Sequence, residues 1–134
     1  MSAFLDTNIL LYAQQDGAKA ERARALLSGG GVLSVQVLNE FTAVARRKLG
    51  KEWRDIGEAI SDVLALAGPP LALTLELHDA ARALAEGEQL SFYDALIIAS
   101  AIGGGCEILY SEDMQHGRRF GGLAIVNPFL ESGA

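Results

Sequence analysis

Four acidic residues, spread along the chain, have the types and positions expected of a site for divalent metal ions. Asp6 directly follows a short apolar run, and Asp113 comes just past a later one. Glu40 lies between apolar positions of a predicted helix, and Asp94 stands near the start of another. Magnesium prefers oxygen ligands, and one or two bound divalent ions can polarise a phosphoryl oxygen and activate water. The sequence therefore predicts a metal centre that acts on a phosphoryl group.

All four acids also have purely structural interpretations. An Asp after a buried strand can cap the following turn, so Asp6 could do only this, with Thr7 and Asn8 as turn formers. Glu40 could be a boundary residue whose carboxylate reaches water. Asp113 could be an ordinary solvated loop residue.

The structural interpretation of Asp94 is a capping box. Asp94 stands three residues after Ser91, the spacing at which an acid reaches back to the N-cap amide. The helix that follows is deeply apolar, which instead favours a first turn that opens into the interior or a cleft. The two interpretations of Asp94 remain open from the sequence alone.

Short apolar segments alternate with helical patterns along the chain. The predicted strands are residues 3–5, 32–33, 71–73, 108–110 and, as a possible fifth, 123–126. The predicted helices are residues 8–14, 18–27, 35–49, 52–67, 75–86 and 92–102. No hairpin signal is evident, and residues 111–120 are expected to form a polar loop. This alternation predicts an α/β fold with a parallel central sheet of four to five strands, flanked by helices on both faces.

Caps and apolar faces sharpen these helix predictions. Asn8, Ser34, Thr74 and Ser91 are suitable N-caps, and Gly87 is expected to end the helix 75–86. The helix 92–102 is apolar nearly all round, which is typical of a central helix. The apolar face predicted for the helix 52–67 includes Trp53.

Length and composition indicate a single domain, residues 1–134. The net charge of −6 is unfavourable for binding nucleic acid, unless the acids hold metal, and it also suits an acidic protein with a basic partner. Cys106 is the only cysteine, so no internal disulfide can form. No signal peptide is evident and the longest apolar run is too short for a bilayer, so we expect a cytoplasmic protein without membrane contact.

The four acids lie within four short segments, which are FLDTNIL at 4–10, Asn39–Glu40, YDALI at 93–97 and LYSEDM at 109–114. In sequence, order and spacing, these segments resemble those of PIN-domain ribonucleases, specifically the VapC-type toxins of bacterial and archaeal toxin–antitoxin pairs. The resemblance implies a PIN-like fold and a site for one or two Mg²⁺ or Mn²⁺ ions. The ligands and catalytic residues that it implies are Asp6, Glu40, Asp94 and Asp113.

The resemblance also implies residues that support the metal ligands. Asn8 and Ser111, together with Thr7, would orient the carboxylates by hydrogen bonding, as metal sites require. Ser111 stands where such families often have Thr, and it keeps the hydroxyl. Glu112 is an additional acid, which could help to hold metal or face water.

The implied function is a metal-dependent endoribonuclease that is the toxin of a toxin–antitoxin pair. It would hydrolyse RNA phosphodiesters with metal-activated water and leave 3′-hydroxyl and 5′-phosphate ends. A homodimer and a cognate antitoxin are implied as partners. One alternative is a non-catalytic acidic module that receives a basic segment of a partner protein. Another is an aspartyl-phosphate enzyme, which is disfavoured because the Asp-x-Asp pattern has Asn8 at its second position.

Two basic clusters could contact an RNA backbone. Residues 46–48 are Arg, Arg and Lys, but their position at a helix C-terminus already accounts for them. Arg118 and Arg119 follow Asp113 in the same predicted loop, and they are the predicted phosphate contacts. Trp53 is expected to face the core or a partner rather than stack on a base.

Overall fold

The computed structural model describes residues 2–130 and contains a four-stranded sheet. Its strands are β1 (Ala3–Leu5), β2 (Ile108–Tyr110), β3 (Arg119–Phe120) and β4 (Leu123–Val126), in the order β1-β2-β4-β3. β1, β2 and β4 are parallel, and β3 is antiparallel to β4. The predicted domain, residues 1–134, includes Met1 and residues 131–134, which lie outside the described residues.

Among residues 2–130, six helices flank the sheet. They are α1 (Thr7–Ala13), α2 (Ala18–Ser28), α3 (Val35–Arg47), α4 (Trp53–Ala67), α5 (Leu75–Glu88) and α6 (Phe92–Gly103). Side-chain caps at Ser34, Thr74 and Ser91 confirm three predicted helix starts. Every residue of α6 from 95 to 101 is buried, so the predicted central helix is confirmed. The predicted α/β fold is confirmed, and the sheet, which was predicted to be parallel, is parallel except for β3.

Two predicted strands are reduced to isolated bridges. Residues 32–33 contribute one parallel bridge, Val32 to Phe4, and residues 71–73 contribute another, Leu71 to Ser34. Ser34 caps α3 and Thr74 caps α5, so the chain turns into a helix before a longer ladder can form. The predicted strand 71–73 is therefore wrong, and the very short strand predicted at 32–33 is only a single bridge.

A hairpin at the end of the sheet was also not predicted. β3 and β4 are joined by Gly121 and Gly122, and Gly121 has a φ of 60°, a conformation that glycine adopts without strain. The predicted loop 111–120 therefore ends in a strand. The Gly-Gly pair between two short segments was the available hairpin signal.

Several helix ends differ from the predictions. α1 begins at Thr7 with Asp6 as its N-cap, not Asn8. α3 ends at Arg47, two residues before the predicted end. α5 continues through Gly87 to Glu88, and it ends because Gln89 takes a left-handed conformation with a φ of 55°.

The predicted burial of Trp53 is wrong. Its side chain is 62% exposed, because Trp53 is the first residue of α4 and lies beyond the buried face that begins at Ile56. Elsewhere the apolar faces pack as expected, and Phe4, Phe41, Ile98 and Leu109 are fully buried at the centre of the core. No helix among residues 2–130 has the length and apolar character that a membrane crossing demands.

Candidate metal centre

Asp6 lies at the carboxyl edge of the parallel sheet, against the end of β2. Leu5 is in register with Tyr110, so the next residues on the two strands, Asp6 and Ser111, are neighbours. The Ser111 hydroxyl donates a 2.7 Å hydrogen bond to Oδ2 of Asp6. The Thr7 backbone N–H donates one of 2.7 Å to Oδ1. Asp6 is therefore the N-cap of α1, and it is also a buried carboxylate, only 5% exposed.

Glu40 is held beside this edge by two donors. The Thr7 hydroxyl donates to Oε2 at 2.8 Å, and Nε2 of Gln36 donates to Oε1 at 3.1 Å. Glu40 is half-buried, so its carboxylate is not simply a solvated boundary group. Gln36 was not among the predicted site residues. Its position one helical turn before Glu40 was the signal that could have identified it.

Asp113 is joined to the same turn of α1 by Asn8. The amide nitrogen of Asn8 donates to Oδ2 of Asp113 at 3.2 Å, and its amide oxygen accepts the Glu112 N–H at 3.3 Å. Asp113 itself is exposed. Asn8 thus holds the segment after β2 against α1.

The Asp94 carboxylate takes no part in the reciprocal cap that was one of its two open interpretations. The Ser91 hydroxyl accepts the Asp94 N–H at 3.3 Å, which is one half of a capping box. Within residues 2–130, no hydrogen bond joins the Ser91 N–H to the Asp94 carboxylate. Asp94 is half-buried at the start of α6, and its carboxylate makes no hydrogen bond to the other three acids.

The electrostatics of the site are dominated by the burial of Asp6 and by the negative charges of Glu40 and Asp113. Burial raises the pKa of Asp6 from 3.8 to about 6, in spite of the hydrogen bonds from Ser111 and Thr7 that favour the charged form. The negative charges of Glu40 and Asp113 raise this pKa further. In the described part of the chain, no Lys, Arg or His forms an ion pair with any of the four predicted ligands. A bound cation would supply the counter-charge that these four acids do not find among the described residues.

The chemistry of these side chains fits a hard divalent ion, although their positions do not converge on a single point. Among residues 2–130, no three Asp, Glu, His or Cys side chains form a ready-made ligand cluster. The carboxylates of Asp6, Glu40 and Asp113 are each directed toward their own hydroxyl or amide donor. All of the donor atoms are oxygens, as Mg²⁺ and Mn²⁺ prefer.

Glu112 belongs to a separate hydrogen-bonded cluster. Its carboxylate accepts a 2.5 Å hydrogen bond from the Tyr12 hydroxyl and forms a 2.5 Å ion pair with Lys19. Burial acts against it, but the hydrogen bonds from Lys19 and Tyr12 lower the pKa of Glu112 below its ordinary value. Glu112 thus fastens the segment that carries Asp113 to α1 and α2.

The predicted RNA contacts have different surroundings. Arg118 donates to the backbone carbonyl and carboxylate of Glu88, at 3.1 and 3.2 Å, and its guanidinium lies 4.7 Å from the centre of the Phe120 ring. Arg119 is exposed at the start of β3. The structure therefore joins Arg118 to the end of α5, and it records no contact of either arginine with the four acids.

The fold and the site together define an α/β domain with an acidic, oxygen-rich site at the carboxyl edge of its sheet. The model of the PIN domain family matches residues 3–119. The chain belongs to the PIN domain family. No curated protein sequence has significant similarity to it.

Solved structures with the same fold come from several bacteria. A toxin–antitoxin complex from Klebsiella pneumoniae has a TM-score of 0.73 at 19% identity, over 96% of this chain and 98% of that one. The sarcin–ricin loop cleaving toxin VapC20 of Mycobacterium tuberculosis has a TM-score of 0.66 at 23% identity, over 84% of this chain and 90% of that one. VapBC2 from Rickettsia felis, bound to a DNA fragment from its promoter, has a TM-score of 0.65 at 19% identity, over 93% of this chain and 97% of that one.

Proposed function

We propose that this protein is a metal-dependent endoribonuclease and the toxin of a toxin–antitoxin pair. The observation that carries the proposal is the buried Asp6, with its raised pKa and with Glu40 and Asp113 adding negative charge around it. Membership of the PIN domain family supports it. So do the similar folds of a toxin–antitoxin complex and of a toxin described as cleaving the sarcin–ricin loop.

In this proposal Asp6, Glu40, Asp94 and Asp113 would hold one or two Mg²⁺ or Mn²⁺ ions. Such ions supply Lewis acidity, which polarises a phosphoryl oxygen and makes water a nucleophile at neutral pH. The chain's own part is to keep the carboxylates charged and oriented. Ser111 and the Thr7 N–H favour the ionised form of Asp6, while the Thr7 hydroxyl and Asn8 restrain the two other acids.

The proposal extends to partners and location. We infer an RNA substrate, a cognate antitoxin, a homodimer and a cytoplasmic location, with one nuclease domain over residues 1–134. Arg118 and Arg119 are candidate phosphate contacts in this scheme.

The direct test is cleavage of labelled RNA with Mg²⁺ or Mn²⁺, with EDTA as the metal-free control. Asp113→Asn should reduce the rate by more than the roughly 10–100-fold that loss of a residue supporting a metal ligand costs. Because Asp113 is exposed, the melting temperature of this variant should stay near that of the wild type. Asp16→Asn, at an exposed acid between α1 and α2, is the matched control and should cleave normally. Cleavage that survives EDTA would contradict the metal-dependent mechanism.

A non-catalytic acidic module is the second candidate. It is favoured by the ligand set, which does not converge in the described residues, and by the net charge of −6. A basic segment of a partner could supply the missing counter-charge. Purified protein that binds a co-encoded small protein tightly, yet neither binds metal nor cleaves RNA, would favour this function over the nuclease.

A further inference from the structure

A strongly basic surface lies where α3 ends and α4 begins. Residues 46–54 contain five of the chain's 11 Lys and Arg residues and one acid, Glu52, although the whole chain has a net charge of −6. Most of these side chains are exposed, and Lys51 is half-buried. We call this set the α3–α4 basic surface. Its members are Arg46, Arg47, Lys48, Lys51, Trp53 and Arg54.

An exposed aromatic ring lies within this surface. Trp53 is 62% exposed, and the Arg46 guanidinium lies 5.1 Å from its ring centre. Arg46 also donates to the backbone carbonyl of Lys51 at 3.0 Å, which ties the end of α3 to the loop before α4. A large aromatic side chain is therefore held in solvent beside fixed positive charge.

The helix dipole does not explain all of this charge. Arg46 and Arg47 lie in the last turn of α3, where cations are favoured. Arg54, however, is the second residue of α4, at the end of a helix where a cation is unfavourable. Its ion pair with Glu58, 3.5 Å between two exposed side chains, adds little stability.

The basic surface continues the face of α3 that carries Glu40. Arg47 follows Glu40 by seven residues, which is two helical turns and places both on one face. At about 1.5 Å per residue, their positions are roughly 10 Å apart along the helix axis. A single extended strand could therefore contact the surface and reach the acids.

We propose that the α3–α4 basic surface binds the backbone of a single-stranded RNA segment that leads to the carboxylate site, with one base stacked on Trp53. Cations beside an exposed aromatic ring are what sequence-tolerant binding of single strands uses. Arg118, the sequence-predicted contact, is instead joined to Glu88. The inference rests on the proposed function, because it takes RNA as the substrate.

Trp53 makes the test direct, because it is the only tryptophan of the chain. A short mixed-sequence single-stranded RNA is titrated into the full chain in EDTA, so that metal-dependent cleavage cannot occur. Bound RNA should quench Trp53 emission and protect it from acrylamide. Fluorescein-labelled RNA of the same sequence gives the affinity by anisotropy.

The variant that tests the surface is Arg47→Ala with Arg54→Ala. It should weaken RNA binding by about ten-fold or more, and it should lower the slope of log K against log salt by about 1.4, or about 0.7 for each lost phosphate contact. Arg82→Ala, an exposed arginine on α5, is the control and should bind like the wild type. Melting curves of both variants check the fold.

The outcomes separate this inference from the proposed function. The inference is overturned if RNA binds without changing Trp53 emission. It is also overturned if the Arg47→Ala, Arg54→Ala variant keeps full affinity while an Arg118→Ala, Arg119→Ala variant loses affinity. Cleavage by the wild type in Mg²⁺ would then still support the proposed nuclease function. RNA bound at Trp53 without cleavage supports the inference and contradicts the nuclease. A wild type that binds no RNA overturns the inference.

Discussion

Replacement of Asp6 by asparagine is expected to stabilise the metal-free protein at neutral pH, even though it removes a predicted metal ligand. Burial, and then the charges of Glu40 and Asp113, hold the pKa of Asp6 at about 6, against an ordinary value of 3.8. Asparagine has nearly the same shape and no charge. Its amide oxygen can accept the Thr7 N–H and its amide nitrogen can donate to the Ser111 hydroxyl, so both neighbours keep a partner.

The magnitude follows from the linkage of proton binding and folding. Each tenfold difference in proton affinity between the folded and unfolded chain changes the free energy of unfolding by about 1.4 kcal/mol. A rise in the pKa of Asp6 from 3.8 to about 6 therefore corresponds to about 3 kcal/mol of unfolding free energy. Because the pKa of Asp6 is higher in the folded chain, its contribution to stability is fully present below about pH 4 and is lost as the pH rises to about 6. The advantage of Asp6→Asn should therefore be absent near pH 4 and complete above about pH 6.

The assay is urea unfolding of both proteins in EDTA across this pH range, repeated at high pH with added Mg²⁺ or Mn²⁺. A ligand that binds only the folded state adds about 1.4 kcal/mol for each tenfold excess over its Kd. The metal should stabilise the wild type much more than Asp6→Asn, so that the difference between the two proteins narrows or reverses. Asp16→Asn, at an exposed acid between α1 and α2, should show neither effect.

Asp6→Asn less stable than the wild type above pH 6 in EDTA would refute this reasoning. It would mean that the hydrogen bonds from Ser111 and Thr7 outweigh burial and the neighbouring charges. A difference that does not change with pH would also refute it, because the penalty must follow ionisation of Asp6.

Two further substitutions test how the other acids are held. Asp94→Asn should abolish cleavage without lowering the melting temperature, because the Asp94 carboxylate makes no cap hydrogen bond. Ser91→Ala, which removes the cap, should reduce the free energy of unfolding by about 1 kcal/mol. Full activity of Asp94→Asn in a cleavage assay would show that this acid is not part of the site. Lys19→Met should leave stability almost unchanged, since Lys19 is an exposed member of its ion pair, but should lower the cleavage rate by up to roughly ten-fold by loosening Glu112. An unchanged rate would show that this ion pair does not position Asp113.

The position of Asp6 and Ser111 at one edge of the sheet was predictable because it depends on local signals. Asp6 and Ser111 each directly follow an apolar strand, and parallel strands end at the same edge, so their contact follows once β1 and β2 are identified as neighbours. The caps at Ser34, Thr74 and Ser91 are likewise local, since each hydroxyl bonds an N–H three residues ahead.

Contacts between distant segments were not predictable in this way. Glu112 could not be assigned a role, because its partners Lys19 and Tyr12 lie about a hundred residues earlier, and no spacing rule joins them. The exposure of Trp53 was missed for a related reason. Its position fits the apolar stripe of α4, but whether anything covers the first turn of a helix depends on tertiary packing.

The first turn of α1 explains how Asp6, Glu40 and Asp113 are held near one another although their negative charges repel. Three consecutive residues each bind a different part of the site: Asp6 bonds Ser111, Thr7 bonds Glu40, and Asn8 bonds Asp113. Each bond joins α1 to a segment at least 33 residues away. The repulsion between the carboxylates is therefore opposed by contacts that all pass through one turn of helix. A change that rotates this turn should disturb all three carboxylates together, whereas loss of one donor should disturb mainly its own acid.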